Sequence, residues 1–216
     1  MPRPSETALR SRARSLIEAM TERARWIYAI PRSSVDASRS VLEDAGFALE
    51  ETDQASRVWR LAPKIGDGRC SFVLFDSADL DVAFVEATGS DAPPALAKLL
   101  EHSGFYAQST LLGTALDVSD PEAGKALRTL AHMIVSWDED WSDLFLLHLA
   151  SPDPVARHEA ALALTVAVMV ARDLGPAERL LDEALRRETF PKLRATFEET
   201  IRVVQGFSGA PVAAAP

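Results

Sequence analysis

Apolar residues recur at three- and four-residue intervals near the start of the chain. Leu9, Ala13, Leu16, Met20, Ala24 and Ile27 share one face of a helix predicted from Ser5 to Tyr28. Ser5 can cap its start, and Pro31 stops it. A second helix is predicted from Ser34 to Ala45, with Val41 and Leu42 inward and Gly46 as a left-handed C-terminal cap. Beyond Gly46 the period shortens to that of strands. Phe47–Glu51, Arg57–Leu61, Cys70–Phe75 and Leu80–Ala87 carry the β-branched and aromatic residues that suit a pleated surface. Gly66-Asp67-Gly68 and Ser77-Ala78-Asp79 are short turn signals, so neighbouring strands should be antiparallel. The expected result is an α+β unit over residues 1–104: a sheet of three or four strands covered by the helices before it and by one from about Pro93 to His102.

From about Phe105 onward the pattern is helical and self-similar. Leu111-Leu112, Asp120-Pro121 and Ala126-Leu127 form one series. Leu146-Leu147, Asp153-Pro154 and Ala160-Ala161 form a second, and Leu180-Leu181, Phe190-Pro191, Ala195 and Phe197 a third. The prolines stand 33 and then 37 residues apart, a spacing typical of stacked repeats. Each series reads as a helix, a tight turn and a second helix that begins at proline, where the missing N–H costs nothing. A hairpin of this kind cannot bury both faces alone, so successive hairpins should stack over residues 105–205. Thr114–Val118 has a rival reading as a last strand of the α+β unit, with Ser119 and Glu122 as a capping box.

The second series, with Asp153, Pro154, Arg157, Ala160, Ala163 and Leu164, resembles a HEAT repeat. Glu159 departs from the alanine usual there. The third series keeps Pro191, Leu193 and Arg194 but lacks the turn Asp; the first keeps Asp120 and Pro121 but has Gly124 in place of Arg. The resemblance spans about residues 108–205. It implies a protein-binding scaffold, and it implies that the turn Asp and Arg157 brace neighbouring units rather than bind a ligand. Val41–Phe47 resembles the helix-to-sheet entry of small α+β proteins, among them the secretion-chaperone-like fold and winged helices. That likeness implies an alternative: a regulator or chaperone-like binder acting through the N-terminal unit.

Composition narrows the function classes. With 216 residues and 47% hydrophobic content, a core can form without metal or disulfide staples. The single cysteine, Cys70, fits a reducing, cytoplasmic setting. The Lys-poor basic set, 4 Lys among 23 Lys and Arg, suggests a bacterial source. A net charge of -9 argues against nucleic acid as the main partner. The charge is uneven: residues 1–39 hold 8 Lys and Arg against 4 Asp and Glu, and the remainder 15 against 28. The first residues lack the apolar stretch of a secretory signal. Ala160–Ala171 is the longest apolar run, short of the ~20 residues of a bilayer span. The tail 206–216, rich in Gly, Pro and Ala, is expected to be disordered.

No complete catalytic set emerges, so the expectation is a protein that is not an enzyme and carries no cofactor. Cys70 lies in a predicted strand, where a thiol serves as a small hydrophobe. His102, His132, His148 and His158 form no zinc-protease motif, and His148 with His158 lacks a third ligand for a metal. Gly66-Asp67-Gly68 leads into a strand and cannot aim a helix N-terminus at a phosphate. Pairs such as Glu50/Glu51 and Asp79/Asp81 read as solvated edges. Two contact candidates remain. Trp137, Asp138, Glu139, Asp140 and Trp141 would offer an aromatic, acidic surface to a basic protein partner. Their bland reading is a helix cap with both tryptophans packed beneath it. Arg10, Arg14 and Arg25 would offer a contact for an anionic partner or a sister subunit in a homo-oligomer. Their bland reading is a face salt-bridged to Glu18 and Glu22.

Overall fold

The computed structural model describes residues 25–53, 57–64, 70–171 and 175–208. The architecture is α+β, a five-stranded antiparallel sheet accompanied by eight α-helices among the described residues. The chain divides into two compact units, Met1–Tyr106 and Ala107–Pro216.

The first unit is built on strands β1 (Arg25–Pro31), β2 (Phe47–Asp53), β3 (Val58–Pro63), β4 (Ser71–Ser77) and β5 (Val82–Thr88). Their order in the sheet is β1-β5-β4-β3-β2, and every neighbouring pair is antiparallel. Four of these strands are those expected from the alternation in the sequence. The fifth, β1, is a correction. Arg25–Tyr28 forms a strand, not the end of a helix. Trp26, Ile27, Ala29 and Ile30 are all buried, so both faces of β1 are covered and the run is continuously apolar. Such a run carries no period that separates strand from helix. The rest of the predicted Ser5–Tyr28 helix, with Arg10 and Arg14, lies outside the described residues, as do Gly66-Asp67-Gly68 and the tail from residue 209.

Helices α1 (Val35–Asp44) and α2 (Ala92–Ser103) pack on one another and on the sheet. Leu42 of α1 and Leu96 and Leu99 of α2 are buried in one cluster with Phe72, Leu74, Ala83 and Val85 of the sheet. A buried hydroxyl pair, Ser38 with Ser103 at 2.6 Å, joins the two helices. Gly46 follows α1 at φ +94°, as its place after the last helical turn requires. At one end of the sheet the Asp76 carboxylate, fully buried, holds two guanidinium groups. Its Oδ1 lies 2.7 Å from Arg32 Nε and its Oδ2 2.7 Å from Arg57 Nε.

The second unit contains α3 (Gln108–Leu116), α4 (Ala123–Ala131), α5 (Glu139–Leu149), α6 (Pro154–Ala171), α7 (Gly175–Arg187) and α8 (Pro191–Ser208). Residues 111–116 are helical, which overturns the reading of Thr114–Val118 as a strand. The Ser119–Glu122 capping box does not form either. Asp117 organises that turn: its carboxylate accepts the Ser119 hydroxyl at 2.5 Å and the Ser119 N–H at 3.1 Å, which hold it below the usual carboxylate range. The helices pack in two layers. α3, α5 and α7 follow one another in one layer, and α4, α6 and α8 in the other. Consecutive pairs, α3 with α4, α5 with α6 and α7 with α8, form hairpins between the layers. Phe145 and Phe197 are fully buried in the shared core.

At 18 residues and a mean hydropathy of 1.3, α6 is long and apolar enough, on length and composition, to cross a membrane. The sequence expectation took its apolar part as too short because it began the count at Ala160. Its Ala160, Ala161, Ala163, Leu164, Ala167 and Val168 are buried against neighbouring helices, which accounts for much of that apolarity.

Candidate functional site

The turns of the second unit repeat one device. Asp120 accepts the N–H of Glu122 at 2.8 Å, and Asp153 accepts the N–H of Val155 at 2.9 Å. Each aspartate thereby satisfies an N–H that the helix itself leaves without a partner. The third turn has no aspartate. There the Glu188 carboxylate accepts the Phe190 N–H at 2.8 Å.

Arginine locks two of these turns. Arg157 donates to the backbone oxygens of Ser151 and Pro152 at 2.8 and 3.0 Å, and Arg194 to those of Leu185 and Glu188 at 3.0 Å. Arg157 also reaches the next turn. Its Nε and Nη2 grip the two Glu188 oxygens at 2.7 and 3.2 Å, a two-point contact that fixes both distance and angle. Glu188 is 97% shielded in its side chain, so burial works against its charge. The Arg157 hydrogen bonds, the Phe190 N–H and the Arg157 charge outweigh that and hold its carboxyl below the usual range.

The first turn departs from this pattern, and the departure is compensated. Where the others have arginine it has Gly124, and a Cβ built there would stand 2.8 Å from Glu159 Cγ. Glu159 fills the space and meets Arg128 at 3.4 Å. The two residues that depart from the HEAT-like pattern therefore occupy one another's volume.

Beside the Arg157–Glu188 contact, α5 and α7 part to leave a cleft of about 310 Å³. Leu146, Leu149 and Ala184 supply its apolar lining, and Arg187, Glu183 and Glu188 its polar one. Arg187 pairs with Glu183 one turn away on the same helix. Sequence reasoning did not find this cleft. Its lining residues are spaced along three segments, and no local pattern joins them.

The aromatic acidic stretch lies at the opposite end of α5. Asp138 is its N-cap, accepting the Trp141 N–H at 3.1 Å. Trp137 stacks on Phe145 with ring centres 5.4 Å apart, and its indole N–H donates to the Ser142 hydroxyl at 2.9 Å. Both tryptophans are partly buried against the helical core. Asp138, Glu139, Asp140 and Asp143 remain exposed. Replacing Asp138 with Ala is expected to cost about 1 kcal/mol of stability, the usual loss of an N-cap. Denaturant unfolding monitored by helical circular dichroism checks this.

Other candidates are placed as follows. Arg25 stands in β1 with its guanidinium on Glu86 of β5 at 2.7 Å, so it is engaged across the sheet. Cys70 is buried beside the sheet core. His148 is fully buried in α5 and donates from Nε2 to the backbone oxygen of Ala115 at 2.7 Å, which ties the second hairpin to the first. Among the described residues no three His, Cys, Asp or Glu side chains gather in a way that would hold a metal ion. Comparison with protein families, with characterised proteins and with solved structures finds no match for this chain.

Proposed function

We propose that the protein is a non-enzymatic scaffold whose helical hairpins hold a partner protein, acting in the cytoplasm. One observation carries the reading. Two successive hairpins are clamped at their turns by the Arg157–Glu188 contact, and the helices beside that clamp separate into an open cleft. A braced edge next to an apolar recess suits recognition, because ordering the surface beforehand lowers the cost of binding. The HEAT-like register of Asp120, Asp153, Arg157 and Arg194 supports the same reading, as does the exposure of Leu147, Val155 and Phe190 near the turns.

The test is capture of partners from the native cell by the full chain. The wild type is compared with Ala150→Arg, which adds bulk and charge at the exposed mouth of the cleft, and with the double variant Trp137→Ala, Trp141→Ala. A specific partner should be retained by the wild type and lost from the variants, with helical circular dichroism unchanged. Equal retention by all three folded proteins would rule out both α5 sites.

A further inference from the structure

We infer that the cleft between α5 and α7 takes an extended basic segment of the partner, with one apolar side chain in the recess and a Lys or Arg against the acids of α5; this rests on the scaffold reading above. Glu139, Asp143, Leu146 and Ala150 recur at spacings of four, three and four residues, so they lie along one stripe of α5. Leu146 and Ala150 line the cleft. Glu139 and Asp143 therefore continue the line of the cleft along the same helix face, and both are exposed. The stripe thus runs from an apolar recess to an acidic track.

Charge decides the partner's sign. The bases that line the cleft are already engaged, Arg157 with Glu188 and Arg187 with Glu183. Among the described residues, Glu139 and Asp143 have no basic side chain paired with them. A neutral or acidic segment would leave those carboxylates facing apolar or like-charged groups. A basic segment pairs them while its apolar side chain covers Leu146, Leu149 and Ala184.

Spacing sets the motif. Along α5, Leu146 stands about 5 Å from Asp143 and about 10 Å from Glu139, at ~1.5 Å rise per residue. An extended peptide advances ~3.3 Å per residue, so the apolar and basic positions should be two or three residues apart.

The experiment selects random dodecapeptides displayed on phage against the immobilised full chain, then titrates the selected peptides, fluorescein-labelled, by anisotropy. Selected sequences should carry an apolar residue with Lys or Arg two or three positions away. Their affinity should fall about tenfold or more in Ala150→Arg, several-fold in Glu139→Gln with Asp143→Asn, and steadily with added salt. Selected peptides that lack basic residues, an empty selection, or binding that Ala150→Arg leaves unchanged would overturn the inference. Should a cellular partner be captured in a cleft-dependent way while the selection yields no basic motif, the scaffold reading stands and the basic segment falls. Loss of both would remove both.

Discussion

Arg157→Met is expected to lower the stability of the helical unit by about 2–3 kcal/mol. The guanidinium makes four hydrogen bonds, two to Glu188 and two to the backbone of its own turn. Methionine fills similar volume but leaves a carboxylate whose side chain is only 3% exposed without its cation. Removing one partner of a fully buried pair costs about 3–5 kcal/mol. A loss somewhat below that range is expected here because the Arg157 side chain is 18% exposed, the cleft is open to water beside the pair and the Phe190 N–H remains bonded to Glu188. Urea unfolding of the single variant, of Glu188→Gln and of the double variant gives the coupling directly. The double variant should recover part of the loss, since no charge is then stranded. Strict additivity would show that the clamp contributes nothing beyond its separate groups.

The same pair predicts a response to acid. The Glu188 carboxyl ionises more readily in the folded protein than in the unfolded chain, so the unfolded chain binds more protons over the intervening pH range. Its contribution is therefore present above the ordinary glutamate pKa and is lost as pH falls through the lowered folded value. In Arg157→Met the favourable contacts from arginine are gone while the burial persists, so that acid-side loss should shrink or reverse.

Much of this was legible in the chain, and the failures have physical causes. Strands β2 to β5 follow from their β-branched and aromatic residues and from the turn residues between them; β5 is covered on both faces, yet Ser77-Ala78-Asp79 before it marks it as the next strand of a meander. Strand β1 was hidden because both its faces are covered. The helical hairpins followed from the Asp-Pro turns, whose work is local: Asp120 and Asp153 each bond an N–H two residues on. The cleft was not legible, since Leu146, Arg157 and Glu183 meet only through packing. Arg157 was expected to brace neighbouring units, but its acceptor could not be named, because Glu188 lies 31 residues away. The compensation of Gly124 by Glu159 was equally out of reach, although both residues stood out as departures from the pattern. Trp137 and Trp141 were given a contact reading and a packing reading. The stacking of Trp137 on Phe145 gives Trp137 a packing role, while the acids beside it stay exposed.

The sequence marks His148 only as an incomplete metal ligand, but Leu144, Phe145, His148 and Leu149 share one core-facing stripe of α5. Its burial has a consequence for pH. Nε2 donates to the Ala115 oxygen, while Nδ1 is buried and has no hydrogen-bond partner. Protonation would place a second N–H, and a charge, where nothing accepts it. Burial accordingly lowers the His148 pKa, against a smaller opposing effect of the Ala115 bond. Because the folded value lies below the unfolded one, the unfolded chain binds the extra proton first as pH falls. Stability from this residue is therefore level above the ordinary histidine pKa and declines below it, by at most about 1.4 kcal/mol per pH unit. His148→Gln keeps a donor for Ala115 and cannot titrate, so its stability should be flat across that window. Thermal unfolding of the two proteins between pH 7.5 and 5, with Glu188 still ionised throughout, separates them. Parallel curves for wild type and His148→Gln would mean that His148 does not couple protonation to the joining of the first two hairpins.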